Sequence, residues 1–205
     1  MKSTQQRVFR GVASLYLGQL LTIPLSLIIN LMVGRRLLPE DYGAFVTANF
    51  VVGVATLLAN AGLSTALIRD TETPTQRDYA DLFFFQFGLG LILGFFLYAF
   101  APWLGGFFGD DPGIVRMLRT LCVLPALYGL VSVPLIRLER GLKYQRLAVM
   151  SGVWEVCERV VLLCLILWGL RGFSYAYARV LGVSLQVVLL FVASRWSPLA
   201  LLRES

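Results

Sequence analysis

Leu82 to Phe100 reads LFFFQFGLGLILGFFLYAF, nineteen residues without a charge. A helix needs about 20 predominantly apolar residues to cross a hydrocarbon core about 30 Å thick. This run has that length. Five further runs resemble it, at 12–33, 45–67, 117–135, 148–168 and 175–194. The expected fold class is therefore all-α integral membrane, with about six transmembrane helices and both ends of the chain on one side.

Composition agrees. Of 205 residues, 58% are hydrophobic and only 15% charged, where a soluble domain carries about 25%. The mean hydropathy is +0.75. A soluble helical domain needs polar faces on most of its helices, and the runs lack them. The first run, Val12 to Val33, exceeds a signal-peptide core and no A-x-A site follows it, so it reads as a span rather than a cleaved leader.

The connections are short. Gly34–Ala44, Ile68–Asp81, Ala101–Arg116, Ile136–Leu147 and Gly169–Ser174 read as loops, and the last is tight enough to make runs five and six a helical hairpin. The net charge of +6 invites a nucleic-acid partner, but the basic residues lie between the runs rather than on one face, and none is expected. Their placement is a topology signal. With the N-terminus inside, eleven of the 18 Lys and Arg residues fall in inside segments and six outside, with Arg159 within a run. Both termini are expected in the cytoplasm. Cys122, Cys157 and Cys164 lie in the runs and read as small apolar residues, with no disulfide framework or metal pair.

Polar residues inside the runs mark faces. Gln19, Thr22, Ser26 and Asn30 align at helical spacing. So do Asn49, Gly53, Thr56, Asn60 and Ser64 in the second run, and Tyr175, Arg179, Gly182 and Gln186 in the sixth. Polar groups avoid lipid because their hydrogen bonds go unmade there. These stripes read either as helix–helix hydrogen bonding or as the wall of a water-filled cavity. Charge sharpens the choice, since a charged group at the bilayer centre costs at least about 2.5–3.5 kcal/mol on insertion scales. Glu155 and Arg159 stand four apart on one helix face and can pair. Glu158 then lacks a partner in its own helix, and the hairpin offers Arg179. Either a structural ion pair results, or Glu155, Glu158, Arg159 and Arg179 line a polar cavity that meets a charged ligand or a coupling ion.

Three prolines, Pro24, Pro125 and Pro134, are expected to kink or break their helices. Gly88, Gly90 and Gly94 give the third run a small-residue packing face. The chain has no histidine, which removes Ser–His catalysis and histidine metal sites, and no P-loop pattern occurs. No catalytic residue, metal or cofactor is expected, which favours a transporter, channel or assembly subunit over an enzyme.

Two stretches carry a resemblance. VGRRLLPEDYGAFVTANFVVGVATLLANAGLSTALIRD, from Val33 to Asp70, and PLIRLERGLKYQRLA, from Pro134 to Ala148, resemble bacterial polysaccharide and O-antigen flippases of the multidrug/oligosaccharidyl-lipid/polysaccharide superfamily. Those proteins place a glycine–arginine segment and L-x-P-[ED]-[DE]-[YF]-G after the first span and G-L-x-x-A-L-I-R at the end of the second. The third match is their basic connection between spans four and five. They have twelve or more spans in two lobes, so this chain resembles the N-terminal lobe alone, residues 1–205 as one six-helix unit. A second lobe of like orientation makes a parallel repeat.

The resemblance implies a bacterial inner-membrane, multi-pass protein of polysaccharide or lipopolysaccharide biosynthesis. Its cavity would pass a lipid-linked oligosaccharide, and a second copy or homologous six-span partner would complete it, unless the chain is a fragment. Glu155 matches a position that is often acidic in the family; Arg179 departs from an expected neutral residue. Asn30, Asn49 and Asn60 join the charged residues as cavity candidates, and Arg35, Arg36 and Arg69 are candidate phosphate contacts, because guanidinium groups bind phosphate bidentately. The rivals are a lobe of a drug or small-molecule exporter, which predicts a more apolar cavity, and a non-transporting scaffold of a glycan assembly complex, which predicts tolerance along the polar stripes.

Overall fold

Thr75 opens the longest helix of the chain. Its hydroxyl accepts from the Asp78 backbone N–H at 3.3 Å, and its own N–H donates to Asp78 Oδ2 at 2.7 Å. This reciprocal box satisfies two N–H groups that a helix start leaves open. Thr75→Ala is expected to cost about 1 kcal/mol, readable as a lower midpoint in detergent unfolding.

The computed structural model describes residues 23–24, 26–32, 34–35, 39–60, 75–141, 144–170 and 172–194. Its named elements are six α-helices: α1 Pro39–Asn60, α2 Gln76–Phe107, α3 Pro112–Leu121, α4 Leu124–Arg140, α5 Tyr144–Leu167 and α6 Phe173–Ser194. Residues 23–24, 26–32 and 34 are also helical. Most of the expected first run therefore lies outside the described residues, as do 61–74 at the end of the second.

Four described segments are long and apolar enough to cross a bilayer: α1, α2, Pro112–Arg140 taken through α3 and α4, and α6. The protein is an all-helical, multi-pass membrane protein. Helix α5 is 24 residues long, but Glu155, Glu158 and Arg159 occupy its middle turns.

Several expected boundaries shift. Ala101–Arg116 is not a long loop, because α2 runs on to Phe107 and α3 starts at Pro112. Gly105 belongs to the helix and lets the Val115 side chain sit against it. The turn itself needs Gly109 at φ 99° and Asp110 at φ 55°, left-handed values that glycine and aspartate tolerate. Asp111 Oδ1 then accepts from Gly113 N–H at 2.7 Å, with Pro112 at the first turn of α3, where a missing N–H is harmless.

The run at 117–135 breaks at Cys122–Val123, just before Pro125. Pro134 does not end α4, which continues to Arg140. Cys122 thus sits at a turn rather than within a helix, its thiol directed at the Arg119 carbonyl at 3.0 Å.

Small residues set the packing. In α1, Ala44, Ala48, Val52, Ala55 and Ala59 form one buried stripe, whose first four members lie on a core with Met117, Leu118 and Leu121 of α3 and Ala176 and Val183 of α6. Helices α2 and α4 approach backbone to backbone. A methyl group on Gly90 would strike Pro125 and Ala126 of α4, and one on Gly129 would strike Gln86 and Phe87 of α2. The packing reading of Gly90 and Gly94 holds. Gly88 has nothing within 4 Å of that position.

Two arginine–tyrosine stacks mark the ends of this pair. Arg137 lies over the Tyr79 ring at 5.5 Å and Arg119 over the Tyr98 ring at 5.3 Å. Nineteen residues separate the two tyrosines along α2, about 28 Å at 1.5 Å per residue. That matches the thickness of the hydrocarbon core. Tyrosine and arginine both favour the interface, so the two contacts are spaced as the two faces of a membrane would be.

Candidate functional site

Helix α6 carries Arg179 six residues past its start, and α5 faces it with Glu158. The two helices come close because Gly182 has no side chain: Glu158 Cβ and Cγ would stand 2.9 Å from a methyl group there. Across this contact Arg179 Nη1 donates to both Glu158 carboxylate oxygens at 3.3 Å. The other guanidinium nitrogen, Nη2, donates to Tyr128 Oη of α4 at 2.8 Å. One arginine therefore ties three helices together.

The depth of this node follows from the glycine contacts. Gly90 of α2 abuts Pro125 and Ala126, and Gly129 abuts Gln86 and Phe87. Tyr128 is thus level with about residue 87 or 88 of α2, which is midway between Tyr79 and Tyr98. The Tyr128–Arg179–Glu158 cluster lies midway between the two arginine–tyrosine contacts. It is not sealed: the Arg179 side chain is 38% exposed and that of Glu158 17%. Above it, towards the start of α6, Tyr175 stacks on Phe45 at 4.8 Å and meets Tyr42 edge-on at 5.6 Å.

The pairing differs in part from expectation. The structure brings Glu158 to Arg179, but no ion pair joins Glu155 to Arg159 among the described residues. Both are half-buried on the same face of α5 as Glu158. Tyr128 carries no sequence signal, because an aromatic residue in an apolar helix reads as packing. It is the third member of the cluster all the same.

The hydroxyl stripes also read differently once hydrogen bonds are traced. Thr56 Oγ1 donates to the Val52 carbonyl at 2.8 Å and Ser151 Oγ to that of Ala148 at 2.8 Å. These groups are satisfied inside their own helices and require neither a neighbouring helix nor water. The asparagines are not. Asn30 is exposed and Asn49 and Asn60 are half-buried, and none of their side-chain amides has a hydrogen-bond partner among the described residues. Gln86, by contrast, is fully buried on α2 and its amide donates to the Asn60 carbonyl at 3.5 Å.

Of the candidate phosphate contacts, Arg35 is exposed, while Arg36 and Arg69 lie outside the described residues. Among the described residues no group of His, Cys, Asp and Glu side chains could hold a metal ion.

A multi-pass helical membrane protein with a charged cluster midway along its helices is the class defined by these features. Residues 32–204 match the family of polysaccharide biosynthesis proteins, and the chain belongs to that family. It is similar to the succinoglycan biosynthesis transport protein ExoT of Rhizobium meliloti (strain 1021), 25% identical over 191 residues. The match covers 93% of this chain and 38% of that protein, so the chain spans well under half of its relative's length. No solved structure matches it.

Proposed function

We propose that the chain is one lobe of a flippase that moves a lipid-linked polysaccharide precursor across the bacterial inner membrane. The observation that carries this reading is the Tyr128–Arg179–Glu158 cluster at mid-depth. A purely structural lobe gains nothing from charge there, since well-packed apolar residues of similar volume serve as well or better. Transporters place substrate and coupling-ion sites at that depth, and a guanidinium group suits a pyrophosphate-linked substrate. The 38% exposure of Arg179 leaves its donors within reach of a ligand.

The exposed Asn30 and the half-buried Asn49 and Asn60, whose amides have no partner among the described residues, support a second lobe. Unsatisfied amides do not face hydrocarbon, so Asn30, Asn49 and Asn60 face either water or protein. A cavity between this lobe and a second, from the same chain type or a homologous partner, supplies both. In this arrangement α5 crosses the membrane as a cavity-lining span, making about six crossings with both termini cytoplasmic. Glu155 and Arg159, on the α5 face beside Glu158, complete the charged wall. The relative is a succinoglycan biosynthesis transport protein, and family membership makes polysaccharide transport the natural role for this lobe.

The test uses spheroplasts of cells that lack the gene. Labelled lipid-linked oligosaccharide should accumulate on the cytoplasmic face, and the wild-type gene should release it to the outer face. Glu158→Gln should restore the protein to the membrane but lower release at least tenfold. Full release by Glu158→Gln would remove the cluster from the transport path. Loss of polymer without cytoplasmic accumulation would instead identify a scaffold for glycan assembly.

A further inference from the structure

The turn at Cys122–Val123 that separates α3 from α4 leaves a crevice against α2. Its volume is about 380 Å³, and its walls include Gly90, Gly94, Phe95, Tyr98, Val123 and Leu127. These walls are almost entirely apolar. The surrounding surface is apolar too: Leu91 is 51% exposed, Phe95 69% and Val123 43%. This apolar surface is suited to lipid.

The crevice has a direction. Gly90 lies eight residues below Tyr98 on α2, so the slot descends about 12 Å from the interface into the hydrocarbon. At its mouth stands the stack of Arg119 on Tyr98. Arg119 is exposed, as is Arg116 one turn before it on α3. No carboxylate pairs with either among the described residues. The cation–π contact with Tyr98 uses no N–H group as a hydrogen-bond donor, so the guanidinium remains free to donate. An apolar slot about 12 Å deep, most of the hydrocarbon of one leaflet, capped by unpaired cations at headgroup level, is complementary in shape and charge to an anionic lipid.

We propose that this crevice is a binding site for an anionic phospholipid. One acyl chain fills the slot between α2 and the α3–α4 turn, and the phosphate accepts from Arg119. The site lies on the membrane-facing surface and does not depend on what the mid-depth cluster carries. The bound lipid would fill the gap that the helix break leaves and so brace it.

The experiment reconstitutes the full chain into nanodiscs of equal parts phosphatidylglycerol and phosphatidylcholine. The lipids retained after release into mild detergent are then counted by native mass spectrometry. Wild type should retain phosphatidylglycerol about fivefold over phosphatidylcholine, the preference expected of one basic side chain at a membrane surface. Arg119→Gln should abolish the preference, and Arg119→Lys should keep most of it. Val123→Trp, which fills the slot from its open side, should lower retention of both lipids. Arg137→Gln removes the same charge at the other face and should change nothing. Equal retention of the two lipids by wild type would overturn the proposal, as would equal losses in Arg119→Gln and Arg137→Gln. So would disulfide trapping of Val123→Cys to a second protein chain, which would show that protein covers the crevice.

Discussion

Arg179→Gln should destabilise the protein and stop its transport, and the double variant Glu158→Gln/Arg179→Gln should recover the stability without the transport. The single variant strands the Glu158 carboxylate near the middle of the membrane, where it keeps at best a neutral amide and water. Breaking one side of a buried pair typically costs about 3–5 kcal/mol. The partial exposure of both side chains reduces this through solvent screening, towards about 1–3 kcal/mol. Reversible unfolding in mixed micelles of dodecylmaltoside and SDS, followed by far-UV circular dichroism, measures it.

The double variant removes the stranded charge, and two amides can still hydrogen-bond across the Gly182 contact, so its midpoint should return close to wild type. If its transport also returned, the charges would be structural only. The exchanged pair Glu158→Arg/Arg179→Glu makes the complementary point. It keeps an ion pair but moves the guanidinium group away from Tyr128, whose hydroxyl now bonds to it at 2.8 Å. Stable protein without transport is the expected outcome, because the position of the cation is then wrong.

The second large effect concerns the contact of α2 with α4. Gly90→Val should lower stability by about 3 kcal/mol or more, and Gly129→Val by a similar amount. The obstructing atoms are backbone atoms of Pro125, Ala126, Gln86 and Phe87, which cannot swing aside as a side chain would, so the helices must separate. Overpacking of a core costs typically 1–3 kcal/mol, and a rigid neighbour puts these sites at the upper end. Separation also lifts Tyr128 from Arg179, so transport should fall with stability. Gly88→Ala is the control. With open space around it it should be neutral or slightly stabilising, because alanine is the better helix former. An equal loss at Gly88 would mean that the close backbone contacts at Gly90 and Gly129 do not explain the series.

How much of this was legible beforehand differs from one feature to the next. The run from Leu82 to Phe100 announces a membrane helix by length and apolarity alone. The helix is thirteen residues longer than the run because Thr75 and Asp78 cap it in water and Pro102 does not stop it. Gly105 and Gly106 look like a loop in sequence. They are helical because Val115 needs the room that Gly105 leaves, a fact about a residue on another helix.

The site follows the same division. That Glu158 needs a partner outside its own helix could be read from spacing, and the tight α5–α6 hairpin narrowed the choice to Arg179. The pairing of Glu155 with Arg159 was equally well spaced and does not form, because i, i+4 geometry permits an ion pair without enforcing it. Thr56 stood in a stripe that could have lined a cavity, but its hydroxyl turns back to its own helix.

The sequence by itself determined that the chain is helical, lies in the membrane, turns where it does after Gly169, and carries charge where lipid would reject it. Those properties depend on a residue and its near neighbours: hydrophobic length, helical period and the electrostatic penalty of a bare charge. Tertiary structure alone decided that Tyr128, 51 positions from Arg179, completes the cluster, and that the cluster lies midway between the two arginine–tyrosine contacts. The register of α4 on α2, set by Gly90 and Gly129, controls both. No local pattern encodes which turn of one helix meets which turn of another; close packing of the two surfaces does.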